Sequence, residues 1–237
     1  IAVNAMVATT QYADSVRTAL RAGADAIVCG AGLPKELPAL ASEVSDSDAA
    51  IAPIVSSGRA AGLLCKLWDR HYGRIPDFLI LEGPEAGGHL GFSRQDLDAP
   101  PSLSDLLREV LTAIAPFRDK AGRDIPVFVA GGVKNGADMA RYMKEGAAGA
   151  QFATRFIATA ECDASEGYKQ RLLNASPGDI TLVKSPVGMP GRALRSPLIR
   201  RVEDGTQPPP DRCMKCITTC DGKNAPYCIS KALIAAR

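Results

Sequence analysis

The sequence predicts an α/β fold, a TIM (β/α)8 barrel. Three observations predict it. Strand-like and helix-like segments alternate along the whole of the 237 residues. The strand-like segments are unbroken apolar runs, which marks strands covered on both faces and so parallel strands joined by helical crossovers. Glycine follows the helix-like segments at Gly23, Gly73 and Gly146, the position where only a left-handed residue ends a helix cheaply.

Taken in order, IAVNAM (1–6) precedes a helix over 14–23, and AIVCG (26–30) precedes one over 34–44. AIAPIVS (50–56) leads into 58–73, and FLILEG (78–83) into a glycine-rich loop and a helix over 103–120. PVFVAGG (126–132) leads into 135–146, GAQFATRF (149–156) into 166–175, and ITLVKS (180–185) opens the last unit. That makes seven βα units where a closed barrel has eight. Because the chain opens on a strand without a methionine, the expectation is that the first βα unit precedes Ile1. A doubly wound open sheet is the alternative, weakened by the lack of a GxGxxG after the first strand. The barrel is assigned to 1–202, and a proline-rich linker with a cysteine-rich tail packed on the barrel to 203–237.

Lysine plus arginine nearly balances aspartate plus glutamate, for a net charge of +2, and aromatic residues are few. Neither feature suits a nucleic-acid partner. No apolar run is long enough to cross a bilayer, and the start lacks the pattern of a signal peptide, so a soluble cytoplasmic protein is expected. Oligomeric state is not legible. Of seven cysteines, Cys29, Cys65 and Cys162 sit among small or apolar residues and read as reduced thiols. Cys213, Cys216, Cys220 and Cys228 crowd the tail. Thiolates suit Zn²⁺ or an iron–sulfur cluster, but this spacing matches neither standard pattern, and thiols that fold the tail are the alternative.

Barrel chemistry sits at the C-terminal ends of the strands, and three strand ends stand out. In LEGPEAGGHLGF (81–92), Gly87, Gly88 and Gly91 let backbone approach a flat ligand, and His89 among them can exchange a proton near neutral pH. Glu82 and Glu85 flank this loop; they read as solvated carboxylates, with orienting groups at the site as the alternative. His71 falls near a helix C-terminus, where a cation is favoured, and reads as structural. In VAGGVKNGADM (129–139), Ala130, Gly131 and Gly132 expose backbone N–H groups of the kind that hold a phosphate, although Gly-Gly is also ordinary turn chemistry. One unit later, Ala153 and Thr154 supply the other half of a phosphate cup. Arg155 reads equally as a charge partner for the phosphate or as an ion-pair cap on the barrel.

EAGGHLGF, FVAGGVKNGADMARYMKEGAAGAQFATRFIAT and SPVGMPGRAL, in this order, resemble the nitronate monooxygenase family, formerly called 2-nitropropane dioxygenases. The resemblance runs from IAVNAM through SPVGMPGRAL and implies a TIM barrel holding non-covalent FMN. It places His89 on the family's active-site histidine and Gly87 and Gly88 beside the flavin. It places Ala130, Gly131 and Gly132 on the first phosphate loop, Ala153 and Thr154 on the second, and Asn4 and Met6 where the family contacts FMN. Two departures stand out: Ala153 replaces a usual glycine, and Ile54-Val55 stands where some members carry a lysine. The implied reaction is FMN-dependent oxidation of an alkyl nitronate by O₂ to a carbonyl compound and nitrite. In that reaction His89 either binds the nitro group or removes an α-proton from a neutral nitroalkane. The alternative on the same scaffold is an NAD(P)H-dependent reductase of the enoyl-ACP or quinone type, with an enoyl thioester or a quinone as its small-molecule substrate. A flavin-storage or partner-binding protein is a third reading, which His89 at the flavin face opposes.

Overall fold

A computed structural model describes residues 1–44, 48–208 and 212–236, so residues 209–211 of the expected linker lie outside the described residues. Six strands form one parallel sheet: β1 (Ala2–Met6), β2 (Ala26–Gly30), β3 (Ala50–Val55), β4 (Leu79–Glu82), β6 (Val127–Ala130) and β7 (Gly149–Gln151). They lie side by side in chain order, each hydrogen-bonded in parallel to the next. The crossovers are helices α1 (Tyr12–Arg21), α2 (Leu37–Ser42), α3 (Gly58–Tyr72), α4 (Leu103–Ala121) and α5 (Gly136–Lys144).

Local chemistry fixes several helix ends. Ser57, Ser102 and Asn135 accept the backbone N–H of Ala60, Asp105 and Asp138, so α3, α4 and α5 begin on side-chain caps. Gly73 and Gly122 end α3 and α4 in the left-handed conformation that glycine adopts without strain.

Side chains alternate across each strand, so the burial partners reveal which face the helices cover. Ile27, Cys29, Ile51, Val55, Leu79, Leu81, Val127 and Val129 all pack with helix residues such as Val16, Leu40, Leu64, Trp68 and Leu107. The intervening residues Val28, Ala52, Ile54, Ile80, Phe128 and Ala130 pack only with one another among the described core clusters. Helices on a single face, with a strand-only core on the other, are the arrangement of a barrel wall. A doubly wound sheet would carry helices on both faces, so that alternative is set aside.

The seventh expected unit is corrected. ITLVKS forms β8 (Ile180–Lys184), but it pairs antiparallel with β9 (Pro190–Leu194), which in turn pairs with the short β5 (Gly88–His89). The parallel sheet therefore has six strands rather than seven. A buried apolar run reads the same whichever direction its partner takes, and β9 is not strand-like in composition. GAQFATRF is likewise shorter as a strand than expected: it leaves the sheet after Gln151 and turns into α6 (Thr154–Ile157). Helix α7 (Glu166–Leu173) and a 3-10 turn at Pro177–Asp179 then lead into the hairpin.

After α8 (Pro197–Glu203) the cysteine-rich tail returns to the sheet and ends in α9 (Ile229–Ala236). Ile217 bridges to Thr9, Thr218 N–H donates to Ala8 O at 2.9 Å, and Thr10 N–H donates to Cys216 O at 3.2 Å. Thr219 Oγ1 donates to Val187 O at 2.9 Å in the hairpin turn. Ala8, Val187 and Ile217 form a small apolar cluster, with Met6, Met189, Cys216 and Ile229 packed against it. Among the described residues no helix is long and apolar enough to cross a membrane.

Candidate functional site

The C-terminal ends of the parallel strands bring most of the expected site residues to one end of the sheet. Asn4 and Met6 pair with Val28 and Gly30, which places both on the strand-only face. Ala130 pairs with Glu82 on one side and Gln151 on the other, so the loops after β6 and β7 emerge side by side. Gly131 and Gly132 both have left-handed φ, +72° and +106°. A Cβ on Gly131 would stand 2.7 Å from Ala86 Cβ, so this glycine is required by the close approach of two backbones. At Gly132 the nearest atom to such a Cβ is Glu85 Oε2 at 3.4 Å, which leaves space beside the backbone.

The two halves of the expected cup differ in how their N–H groups are used. The turn before α5 is already served by its own side chains, because Asn135 accepts from Asp138 N and Asp138 accepts from Lys134 N. Helix α6 starts at Ala153 without a side-chain cap, and Ala153 and Thr154 are exposed. An uncapped helix start beside Gly132 fits a phosphate group, whose negative charge is favourable there. Arg155 is also exposed and makes no ion pair among the described residues, so the ion-pair cap expected as one of its two roles is not formed.

His89 is half-buried and paired with Gly191 across β5 and β9. Its Nε2 lies 2.7 Å from Ser185 Oγ. Burial pushes its pKa below the ordinary histidine value. Ser185 is buried at 4 % exposure and its Oγ also accepts the Val187 N–H at 3.2 Å. Tyr227 of the tail is buried, at 8 % exposure. Burial raises the Tyr227 phenol, and a hydrogen bond with Ser185 opposes that rise. Gly87 and Gly88 are exposed, and Gly88 has φ +77° with open space where a Cβ would stand.

Three residues, Glu82, Arg192 and Ser185, gain importance in the fold that the sequence reading did not give them. Glu82 was expected to be solvated. It instead ends β4 on the strand-only face beside Ala130, and burial pushes its carboxyl up to about 7. Glu85 is exposed as expected, with Lys134 Nζ at 3.7 Å. Arg192 of β9 donates to Ala86 O at 3.1 Å and to Pro84 O at 2.7 Å, which pins the glycine-rich loop. Ser185 lies 96 residues from His89, so only the fold unites them. Glu82 alone carried a usable signal, as a carboxylate ending an apolar strand run.

The tail thiols are free, and three of them stand near enough to Cys220 to raise its pKa alongside burial, the larger cause. Cys213 Sγ accepts the Lys215 N–H at 3.4 Å and Cys216 Sγ accepts Ser230 Oγ–H at 3.0 Å. Among the described residues no three His, Cys, Asp or Glu side chains are placed to hold a metal ion, so the Zn²⁺ or iron–sulfur reading finds no support here. His71 is exposed in the last turn of α3, with its ring tilted on Tyr72. A groove of about 430 Å³ lies at the opposite ends of the strands, lined by Asp69, Arg74, Lys120 and Arg123. That end of a barrel serves stability rather than chemistry.

A family model described as nitronate monooxygenase matches residues 1–233. The chain belongs to the nitronate monooxygenase family. A Mycobacterium tuberculosis protein named (3aS,4S,5R,7aS)-5-hydroxy-7a-methyl-1-oxo-octahydro-1H-indene-4-carboxyl-CoA dehydrogenase is 34% identical over 131 residues, covering 55% of this chain and 33% of that protein. Among solved structures, FabK from Thermotoga maritima is similar with a TM-score of 0.68 and 27% identity over 86% of this chain and 57% of that one. Nitroalkane oxidase from Streptomyces ansochromogenes is similar at a TM-score of 0.63 and 26% identity, over 83% of this chain and 52% of that one. The chain thus spans little more than half of these solved structures and a third of the curated relative. The six-stranded sheet with helices on one face is thus a barrel-like wall, similar to the fold of FabK from Thermotoga maritima.

Proposed function

We propose that this chain is part of an FMN-dependent enzyme that oxidises alkyl nitronates with O₂ to a carbonyl compound and nitrite. The observation that carries the proposal is one juxtaposition: the loop that leads to half-buried His89 packs through Glu85 and Ala86 on Gly131 and Gly132, beside the paired loops after β6 and β7. FMN would supply the two-electron chemistry with O₂. Gly132, Ala153 and Thr154 would hold its phosphate, with Ala130 and Gly131 shaping the loop beneath. Gly87 and Gly88 would border the ring system, and Asn4 and Met6 would meet it from β1. His89 would face the substrate, either as a donor to the nitro oxygens or as the base for an α-proton.

A reductive reading is retained because the similar Mycobacterium tuberculosis protein is named as a dehydrogenase of a CoA ester. In that reading NAD(P)H reduces the flavin, and an enoyl thioester or quinone takes the electrons. Anaerobic mixing separates the two. Bleaching of the flavin by ethylnitronate but not by NADH or NADPH is expected. Fast bleaching by a nicotinamide, with none by the nitronate, would replace the oxidase reading with the reductase. A protein that retains no flavin, or releases FAD on denaturation, would defeat both.

A further inference from the structure

The tail cysteines take no part in the candidate site, yet the fold gathers them. Cys213, Cys216, Cys220 and Cys228 all line one cavity of about 20 Å³. That is about the room a single water molecule needs. All four are free thiols, with Cys213 exposed and the other three half-buried. They also differ in what holds them. Lys215 has a left-handed φ of +50°, and its N–H donates to Cys213 Sγ at 3.4 Å. A Cβ on Gly222 would stand 2.9 Å from Cys213 Sγ, so this sulfur lies against the backbone just beyond Cys220. Cys216 Sγ is held instead by Ser230 of α9, whose hydroxyl donates to it at 3.0 Å. Burial is the main cause of the raised Cys220 pKa, and among the neighbouring thiols Cys213 adds most to it. Cys213 and Cys220 also bracket the segment by which the tail grips the rest of the chain. Thr10 donates to the carbonyls of Lys215 and Cys216, Thr218 donates to Ala8 O, and Thr219 donates to Val187 O.

We infer that Cys213 and Cys220 form a redox modification site, a dithiol that a hydroperoxide converts to a disulfide stapling the tail to the loop after β1 and the turn between β8 and β9. Cys213, the exposed sulfur, attacks the O–O bond of the peroxide. An S–O bond forms, the O–O bond breaks, and water or an alcohol leaves. Cys220 then attacks the sulfenic sulfur of Cys213. The S–S bond forms, the S–O bond breaks, and the hydroxyl leaves as water with the Cys220 proton. Two thiols are oxidised by two electrons and one peroxide is reduced. Closing the loop over 213–220 restricts the open states of the segment between, so its bonds to Thr10, Ala8 and Val187 break less often. The staple stands apart from the proposed flavin chemistry, and a chain that oxidises no nitronate should still form it.

The test treats the reduced, folded full chain with hydrogen peroxide and then blocks remaining thiols. Cleavage after Lys215 and Lys223 releases 213–215 joined to 216–223, and fragmentation between Cys216 and Cys220 locates the bond. A Cys213–Cys220 link that a thiol reductant reverses is expected. Buried Cys29 and Cys65 should remain reduced. Amide exchange at Thr10 and Thr218 should slow at least about fivefold on oxidation. In Cys220→Ser, Cys213 should accumulate as a sulfenic acid that dimedone traps, and exchange should not slow. Should Cys220→Ser not fold, Cys213→Ser changes an exposed position and should abolish both the link and the slowing. Cys213 joined to Cys216 or Cys228 would overturn the inference, as would a Cys213 that stays reduced or is oxidised without a partner. A Cys213–Cys220 link that leaves exchange at Thr10 and Thr218 unchanged would overturn the staple.

Discussion

His89 has two roles open to it, and substrate choice separates them. A base acts on a neutral nitroalkane and has nothing to do with a nitronate whose proton is already gone. A donor to the nitro oxygens serves both. The donor role makes the stricter prediction. His89→Ala should then lower kcat/KM by about 10²–10³ on nitroalkane and nitronate alike, the range found for lost oxyanion donors. Flavin content should be retained, since the loops proposed to hold the phosphate follow β6 and β7. A loss confined to the nitroalkane would reassign His89 as the base. Glu82 gives a second test at this scale. Its carboxyl is raised from 4.5 to about 7 in the fold, so the folded state binds the proton more tightly than the unfolded chain. Rising pH therefore removes stability from about 4.5 upward, and the loss is complete above about 7. Glu82→Gln cannot ionise. It should match the wild type in unfolding free energy near pH 4.5 and exceed it by about 1–3 kcal/mol at pH 8. Denaturant titrations at the two pH values check this, and an advantage at pH 4.5 instead would refute the sign.

At the scale of elements, the loops that carry the site are held by neighbouring backbone more than by their own sequence. Gly131 and Gly132 look alike in sequence, and both have left-handed φ. Only Gly131 is crowded, with Ala86 Cβ at 2.7 Å from where its Cβ would be. Gly131→Ala should therefore lower the melting temperature by several degrees, whereas Gly132→Val should cut flavin content at least tenfold with a smaller loss of stability. Equal flavin content in Gly132→Val and wild type would remove this loop from the phosphate site. Arg192 anchors the glycine-rich loop through two carbonyls at once. Lysine has no planar fork, so Arg192→Lys should lose one anchor, and amide exchange across 83–91 should speed up about tenfold. Unchanged exchange would show that the loop holds itself. The same contrast between local and distant causes decides what was legible in the sequence. The parallel strands were legible because β2, β3, β4 and β6 are apolar runs whose neighbours in the sheet are also their neighbours in the chain. The direction of β8 was not, because its partner β9 reads PGRAL, a poor strand by composition, and pairing there is a tertiary effect. The placing of His89 and of the loops after β6 and β7 at one end of the sheet was legible, as small residues at strand ends. Ser185 and Arg192 were not, since each acts on groups distant in the chain, as Ser185 does on His89 across 96 residues, and no local pattern encodes such a link.

Over the whole molecule, the tail ties the first strand's loop to the last hairpin. Ala8 and Thr10 follow β1, Val187 lies in the turn between β8 and β9, and residues 215–219 bond to both. β1 lies at one edge of the parallel sheet, while β6 and β7 lie at the other. The tail therefore bears on Met6 and on the Ser185–His89 pair, and it sits on different strands from the phosphate loops. Thr219→Val removes the tail's bond to Val187 with almost no change of shape. A single hydrogen bond of this kind contributes about 0.5–1.5 kcal/mol, so the variant should remain folded. Removing residues 208–237 is the larger step. It deletes Tyr227 and uncovers Ala8 and Val187, both of which are buried in the intact chain. Two consequences should then separate. Flavin content should fall no more than about twofold, because the groups that meet the phosphate are untouched. Turnover should fall at least tenfold, because the hairpin turn that holds Ser185 against His89 loses its bond to Thr219 and Met6 loses its packing. Flavin absorbance per chain and steady-state rates on one preparation measure both quantities. Loss of flavin in step with turnover would mean that the tail belongs to the cofactor site itself. Retention of both would mean that it is an appendage, and His89 would have to be oriented by the sheet alone.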